Sequence, residues 1–199
     1  AYQTKSNLTT AGSTTFVQCF NSIGGLKWGT YVAGGGGGTQ IGELGYCIAL
    51  DGSNNIYVGG YTETSGWATV TGHTTKGTNG SPYLLKLNSS GTSTGFAATF
   101  FGGNGVTNYS DMVCGIAVSG TNVYVTGNAY SNAGIETAGV YQTKNFNTSG
   151  GDGTTFVMKF TNALAETWGT YLGGGNSSTA TGWPFSNAGG PNSIAVDGS

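Results

Sequence analysis

Short apolar and aromatic runs alternate with Gly-, Asn- and Ser-rich breaks along this chain, and the runs return at intervals of about seventy residues. Thr14-Thr15-Phe16-Val17-Gln18-Cys19-Phe20 returns as Ser81-Pro82-Tyr83-Leu84-Leu85-Lys86-Leu87 and as Thr154-Thr155-Phe156-Val157-Met158-Lys159-Phe160. Trp28-Gly29-Thr30-Tyr31-Val32 returns as Ala97-Ala98-Thr99-Phe100-Phe101 and as Trp168-Gly169-Thr170-Tyr171-Leu172. Ile48-Ala49-Leu50-Asp51-Gly52 returns as Ile116-Ala117-Val118-Ser119-Gly120 and as Ile194-Ala195-Val196-Asp197-Gly198. A fixed period marks a repeat architecture, in which each unit buries its faces against its neighbours.

Each unit carries four segments of strand character separated by turn signals. The first is Tyr46–Leu50, with Val113–Val118 and Ser193–Val196 as its copies; the second is Ile56–Val58, with Val123–Val125. The third and fourth are Phe16–Phe20 and Trp28–Val32 with their copies. Asp51-Gly52-Ser53-Asn54-Asn55 and the shorter Ser119-Gly120-Thr121-Asn122 join first to second, with the side-chain acceptors and positive φ that tight hairpins demand. No segment has a helical period, so the chain is predicted to be all-β. Four antiparallel strands per repeat describe a β-propeller blade; a β-solenoid fits less well, because its rungs take only about 20–30 residues. The small residues of Ile48-Ala49-Leu50 suit an innermost strand, where blades converge.

The phase can be counted. Residues 1–44 give the last two strands of one blade and a loop, 45–110 a full blade, 111–190 a second full blade with a longer connection, and 191–199 the first strand of another. Eleven strands make an incomplete ring, since closure takes about four to eight blades. The expectation is a fragment of a longer propeller or one member of an assembly.

Composition narrows the function. Only 7% of the 199 residues are charged, the net charge is −2, and there are six lysines and no arginine. Without arginine forks or a basic run, neither nucleic acid nor anionic lipid is an expected partner. No apolar stretch approaches the ~20 residues of a membrane span. Thirty-nine glycines could signal disorder, but aromatics at 12%, held in register, argue against it. A Gly/Thr/Asn-rich, charge-poor β-protein suits the extracellular side of a cell. The three cysteines allow at most one disulfide, and Cys19, Cys47 and Cys114 read most simply as separate thiols.

These phrases resemble the bacterial beta-propeller repeat often called the SBBP repeat. The resemblance is carried by Ile116-Ala117-Val118, Val123-Tyr124-Val125-Thr126-Gly127, Val140-Tyr141-Gln142-Thr143, Phe156-Val157-Met158-Lys159-Phe160 and Thr170-Tyr171-Leu172-Gly173-Gly174. It recurs in each unit and spans nearly the whole chain. Cys19 in place of the lysine, Phe100-Phe101 in place of Tyr-Leu, and the long stretch 176–190 depart from the pattern. The resemblance implies an exported or cell-surface protein whose propellers bind or space other parts, and it brings no catalytic residues with it.

Candidate sites are few. Glu43 and Asp111 each stand five residues before an Ile-Ala phrase, where propeller geometry would set them near one channel mouth as ligands for a small molecule or calcium; the third equivalent is Gly189. The plainer reading is a turn or solvated acid. Asp51 and Asp197 open the turn after the inner strand, as backbone caps or, alternatively, calcium ligands. Trp67 and Trp183 lie in polar connections between the repeated strands, where an exposed indole can stack on a sugar or, equally, cover a blade edge. Trp28 and Trp168 are repeat positions and read as packing. His73 stands where its sisters have Tyr2 and Tyr141, and no GxSxG accompanies it. The run Gly34–Gly38 lacks the Lys and Ser/Thr of a phosphate loop. Asn7, Asn79, Asn88, Asn108, Asn147 and Asn176 match N-x-Ser/Thr at the frequency this composition produces by chance. No base, nucleophile and ligand set converges, so the expectation is a non-catalytic structural, adhesive or protein-binding module without a cofactor. Its partners would be other protein chains, or the rest of a longer chain, met at open blade edges. The alternative is a carbohydrate-binding propeller.

Overall fold

The structure is a computed structural model that describes residues 1, 3–6, 12–34, 42–64, 66–67, 77, 80–102, 110–145, 153–173 and 193–197. The described residues form an all-β fold with ten strands. A hairpin, β1 (Thr15–Phe20) and β2 (Leu26–Val32), comes first. Then comes an antiparallel meander of β3 (Glu43–Leu50), β4 (Ile56–Thr62), β5 (Ser81–Leu87) and β6 (Ala97–Phe100). The last sheet is a second meander of β7 (Met112–Ser119), β8 (Asn122–Ala129), β9 (Thr154–Thr161) and β10 (Glu166–Leu172). The phrases that the sequence marks as strands lie on strands within the described residues, except Ile194–Val196, which lies against the last sheet: a Cβ on Gly115 would lie 3.3 Å from the Ile194 nitrogen.

The three sheets stack, and alternation decides which side chain serves which interface. In β4, Ile56 and Val58 point toward the hairpin while Tyr57 points toward the last sheet. In β5, Tyr83, Leu85 and Leu87 join the hairpin side, and Leu84 the other. Facing the middle sheet, the hairpin contributes Val17, Val32 and Trp28, and the last sheet contributes Val113, Val123, Val125, Phe156, Met158 and Phe160. A sheet covered on both faces explains why β4 is buried at every position, whereas β9 alternates buried with half-buried.

The tight turns follow their residues. Asp51 Oδ1 accepts the Ser53 and Asn55 amides, each at 2.9 Å, and Asn54 takes a positive φ of 61°. This is the backbone-capping turn expected from Asp51-Gly52-Ser53-Asn54-Asn55. A bulge in β3 at Gly45/Cys47 recurs in β7 at Val113/Gly115, and each faces a glycine of the next strand, Gly60 and Gly127.

Candidate functional site

Glu43 and Asp111 are both 1% exposed, so neither is the solvated acid that its glycine-rich surroundings suggest. Glu43 opens β3, and its Oε1 accepts the Thr64 hydroxyl and the Gly34 amide (3.2 Å). Asp111 precedes β7; its Oδ1 accepts the Tyr130 and Ser131 amides at 2.6 and 2.9 Å, and its Oδ2 the Ser131 hydroxyl. In both units the acid at the mouth of the first strand ties down the chain leaving the second. The match is incomplete, because Oε2 of Glu43 is buried without a partner. Burial raises the Glu43 carboxyl above its usual range, against the hydrogen bonds from Thr64 and Gly34 that lower it. Among the described residues no group of three or more His, Cys, Asp or Glu could hold a metal ion.

Asp51 is engaged by its own hairpin. Its Oδ2 accepts Asn55 Nδ2 at 2.8 Å and the Tyr57 hydroxyl at 3.1 Å. Desolvation pushes its carboxyl up, but the hydrogen bonds from Asn55, Ser53 and Tyr57 outweigh it and hold the group low. Asp197 lies in the exposed segment 193–197.

Trp67 is not an exposed platform. It is 5% exposed and fills the wedge between hairpin and middle sheet, its ring 5.2 Å from Tyr83, 6.3 Å from Phe96 and 5.9 Å from Phe100. Neither indole face is open to a sugar. Ile135, fully buried after β8, joins the core shared by the middle and last sheets one unit later. Trp28 is partly buried against the hairpin core, as a packing residue should be. Trp168, half-buried, lies 6.5 Å from Tyr124 on the outer face of the last sheet. Trp183, His73, Gly189, Gly35–Gly38, Asn7, Asn79, Asn108, Asn147 and Asn176 lie outside the described residues. Asn88 spends its side chain on its own turn, accepting the Ser90 and Thr92 amides at 3.0 and 3.1 Å. Cys19, Cys47 and Cys114 are free thiols.

The Tyr-Gln-Thr phrase has a use that residue type did not disclose. The Gln142 carbonyl accepts the Tyr171 amide at 3.1 Å, and its Oε1 the Gly173 amide at 3.2 Å. Gln3 repeats this on the hairpin, accepting from Tyr31 at 3.2 Å and Ala33 at 3.1 Å. In these two units the glutamine occupies the free edge of the fourth strand and blunts it against further pairing.

The largest unsatisfied feature is a pair of faces. Phe16 and Phe20 on the outer side of the hairpin are 62% and 54% exposed, with Leu26 and Tyr31 beside them. Ile48 and Leu50 on β3, which the hairpin leaves uncovered, are 59% and 57% exposed. At the other end, the outer face of the last sheet presents Tyr124, Val157, Lys159, Trp168 and Leu172, half-buried or exposed. A cleft of about 570 Å³ opens there between Tyr124 and the segment Ile194–Asp197. No helix of the described residues is long and apolar enough to cross a membrane. No protein-family model and no curated protein matches the chain.

Proposed function

We propose that the chain is a non-catalytic β-propeller module of the SBBP-like kind, acting outside the cell by presenting sheet faces to protein partners. One observation carries the reading. Phe16 and Phe20 are exposed, while their repeat equivalents Tyr83 and Leu87, and Phe156 and Phe160, are buried against a neighbouring sheet. An apolar sheet face that is core in two units and open in the third is a surface built to be covered. Consecutive four-stranded meanders, stacked with one rule of alternation, support the propeller reading. The charge-poor, Gly/Thr/Asn-rich composition supports the extracellular one. With Trp67 inside the core, the carbohydrate reading loses one of its two indoles.

The test compares an exposed aromatic with its buried twin. In Phe16→Ser/Phe20→Ser the melting temperature stays within about 4 °C of wild type, because surface changes cost about 0.5 kcal/mol or less each. The same variant loses most binding of an apolar-surface dye. Phe156→Ser costs about 3–5 kcal/mol as a core truncation. A double variant that melts as early as Phe156→Ser would show the hairpin face to be covered within the chain and would overturn the reading.

A further inference from the structure

We propose that this chain assembles head to tail, the outer face of the hairpin β1–β2 in one copy stacking on the outer face of the last sheet in a second copy. The proposal rests on the interaction-module reading above and supplies its partner.

The occupant is identified by the interfaces inside the chain. By repeat position Phe16, Gln18 and Phe20 correspond to Tyr83, Leu85 and Leu87, which face the hairpin, and to Phe156, Met158 and Phe160, which face the middle sheet. This side of a unit is thus covered, wherever a cover exists, by the opposite side of another unit. The opposite side is defined as firmly: Tyr57, Leu84 and Phe101 receive the last sheet. Their equivalents Tyr124, Val157 and Leu172 lie on the outer face, half-buried or exposed, with the segment 193–197 beside Tyr124 at one side of it. The described residues therefore carry one largely uncovered face of each kind, and the two are complementary by the rule the chain follows twice.

One polar contact makes the match specific. Lys86 lies 5.6 Å above the Tyr57 ring and donates from Nζ to the Asn162 carbonyl, at 2.9 Å, in the β9–β10 turn of the next sheet. Lys159 lies over Tyr124 at the same 5.6 Å, and among the described residues it has no such acceptor. The turn that would supply one is β1–β2. Asn21 Oδ1 there accepts the Ile23 and Gly25 amides (3.1 and 2.7 Å), as Thr161 Oγ1 accepts the Ala163 and Ala165 amides (3.3 and 3.2 Å). Gly24 has φ 81° where Leu164 has 63°. The two turns share length and hydrogen bonding, so Ser22 holds the place of Asn162, and its carbonyl is the acceptor for Lys159 of the second copy. Such a heterologous contact repeats with each copy added.

Sedimentation velocity of the full chain, from low micromolar to near-millimolar concentration, tests this. The expected result is a sedimentation coefficient that climbs with concentration. Phe16→Lys/Phe20→Lys, which blocks one face, and Lys159→Glu/Leu172→Lys, which blocks the other, each abolish the rise with thermal melts unchanged. Mixed in equal amounts, the two blocked variants pair through their intact faces and stop at the dimer. Lys159→Ala alone weakens association about tenfold, equal to ~1.4 kcal/mol, in keeping with one charge-assisted hydrogen bond. A wild-type chain that stays monomeric while still binding the dye would overturn the self-assembly and leave the interaction-module reading standing. Monomer without dye binding would remove both. Association of the wild type with no pairing in the mixture would mean that like faces meet like, and would equally overturn the proposal.

Discussion

Replacing Gly127 by alanine puts a methyl group where the partner strand's backbone already is. A Cβ on Gly127 would overlap the Met112 carbonyl oxygen and lie 2.9 Å from both the Met112 carbonyl carbon and Cε1 of Phe156. Gly60, the equivalent in the middle sheet, would meet the Leu44 carbonyl in the same way and the Tyr83 hydroxyl at 3.0 Å. Both glycines face the β-bulge of the first strand, which swings a carbonyl inward, so the bulge and the glycine are one device. A clash with backbone is not relieved by a rotamer change; β7 must move away from β8. Overpacking costs about 1–3 kcal/mol, and one or two ladder hydrogen bonds lost with the shift add about 1 kcal/mol each. The total of about 2–5 kcal/mol lowers the melting temperature of a chain this long by roughly 10 °C. Thermal melts followed by circular dichroism, with urea titration as a second measure, read the effect directly. Gly59→Ala should fall between mutant and wild type, because its Cβ would meet side chains, Val113 Cγ1 at 2.6 Å and Cys47 Sγ at 3.0 Å. Gly52→Ala is the control: nothing lies within 4 Å, and the change should be neutral within about 0.5 kcal/mol. A Gly127→Ala protein melting within about 2 °C of wild type would refute the close approach of the two strands.

Two further perturbations read the buried polar groups. The Glu43 carboxyl titrates above its usual 4.5 in the fold, so its contribution is fully present below that value and is lost as pH rises through the folded pKa. Glu43→Gln keeps an acceptor for Thr64 and Gly34 and removes the buried charge. It should melt like wild type near about pH 4 and later than wild type near about pH 7.5; an earlier melt at the higher pH would show the carboxylate to be a needed anion. Burial pushes the Cys47 thiol up to about 12, reinforced by Cys114, and desolvation raises Cys114 as well. Alkylation of the folded protein near about pH 8 should therefore mark Cys19 first and spare Cys47 and Cys114 until denaturant is added. Labelling of Cys47 at its denatured rate would contradict the packing of β3 against β7.

The strands and their tight turns were legible because each is specified locally. Alternation over five to eight residues and an Asp-Gly-Ser-Asn break need no knowledge of distant chain, and Asp51 caps its hairpin as that residue type predicts. The burial of Glu43, Asp111 and Trp67 was not legible for the opposite reason: it comes from segments that return from elsewhere. Around Trp67 stand Ser, Gly, Ala and Thr, and nothing in them tells of a core between two sheets that the indole joins. A usable signal existed for the acids, since Thr64 and Ser131 follow their second strands at matching places, but it requires reading two distant parts of one repeat together. The starkest case is one phrase with two fates. Ile48 and Leu50 are largely exposed, whereas Ile116 and Val118 pack against the shared core. Local sequence is nearly the same in the two places, so the difference in burial is a difference in neighbours. A residue type maintained at a position where this chain by itself does not bury it is evidence for a cover from outside. The repeat, read with the structure, thereby becomes a statement about association as well as about fold.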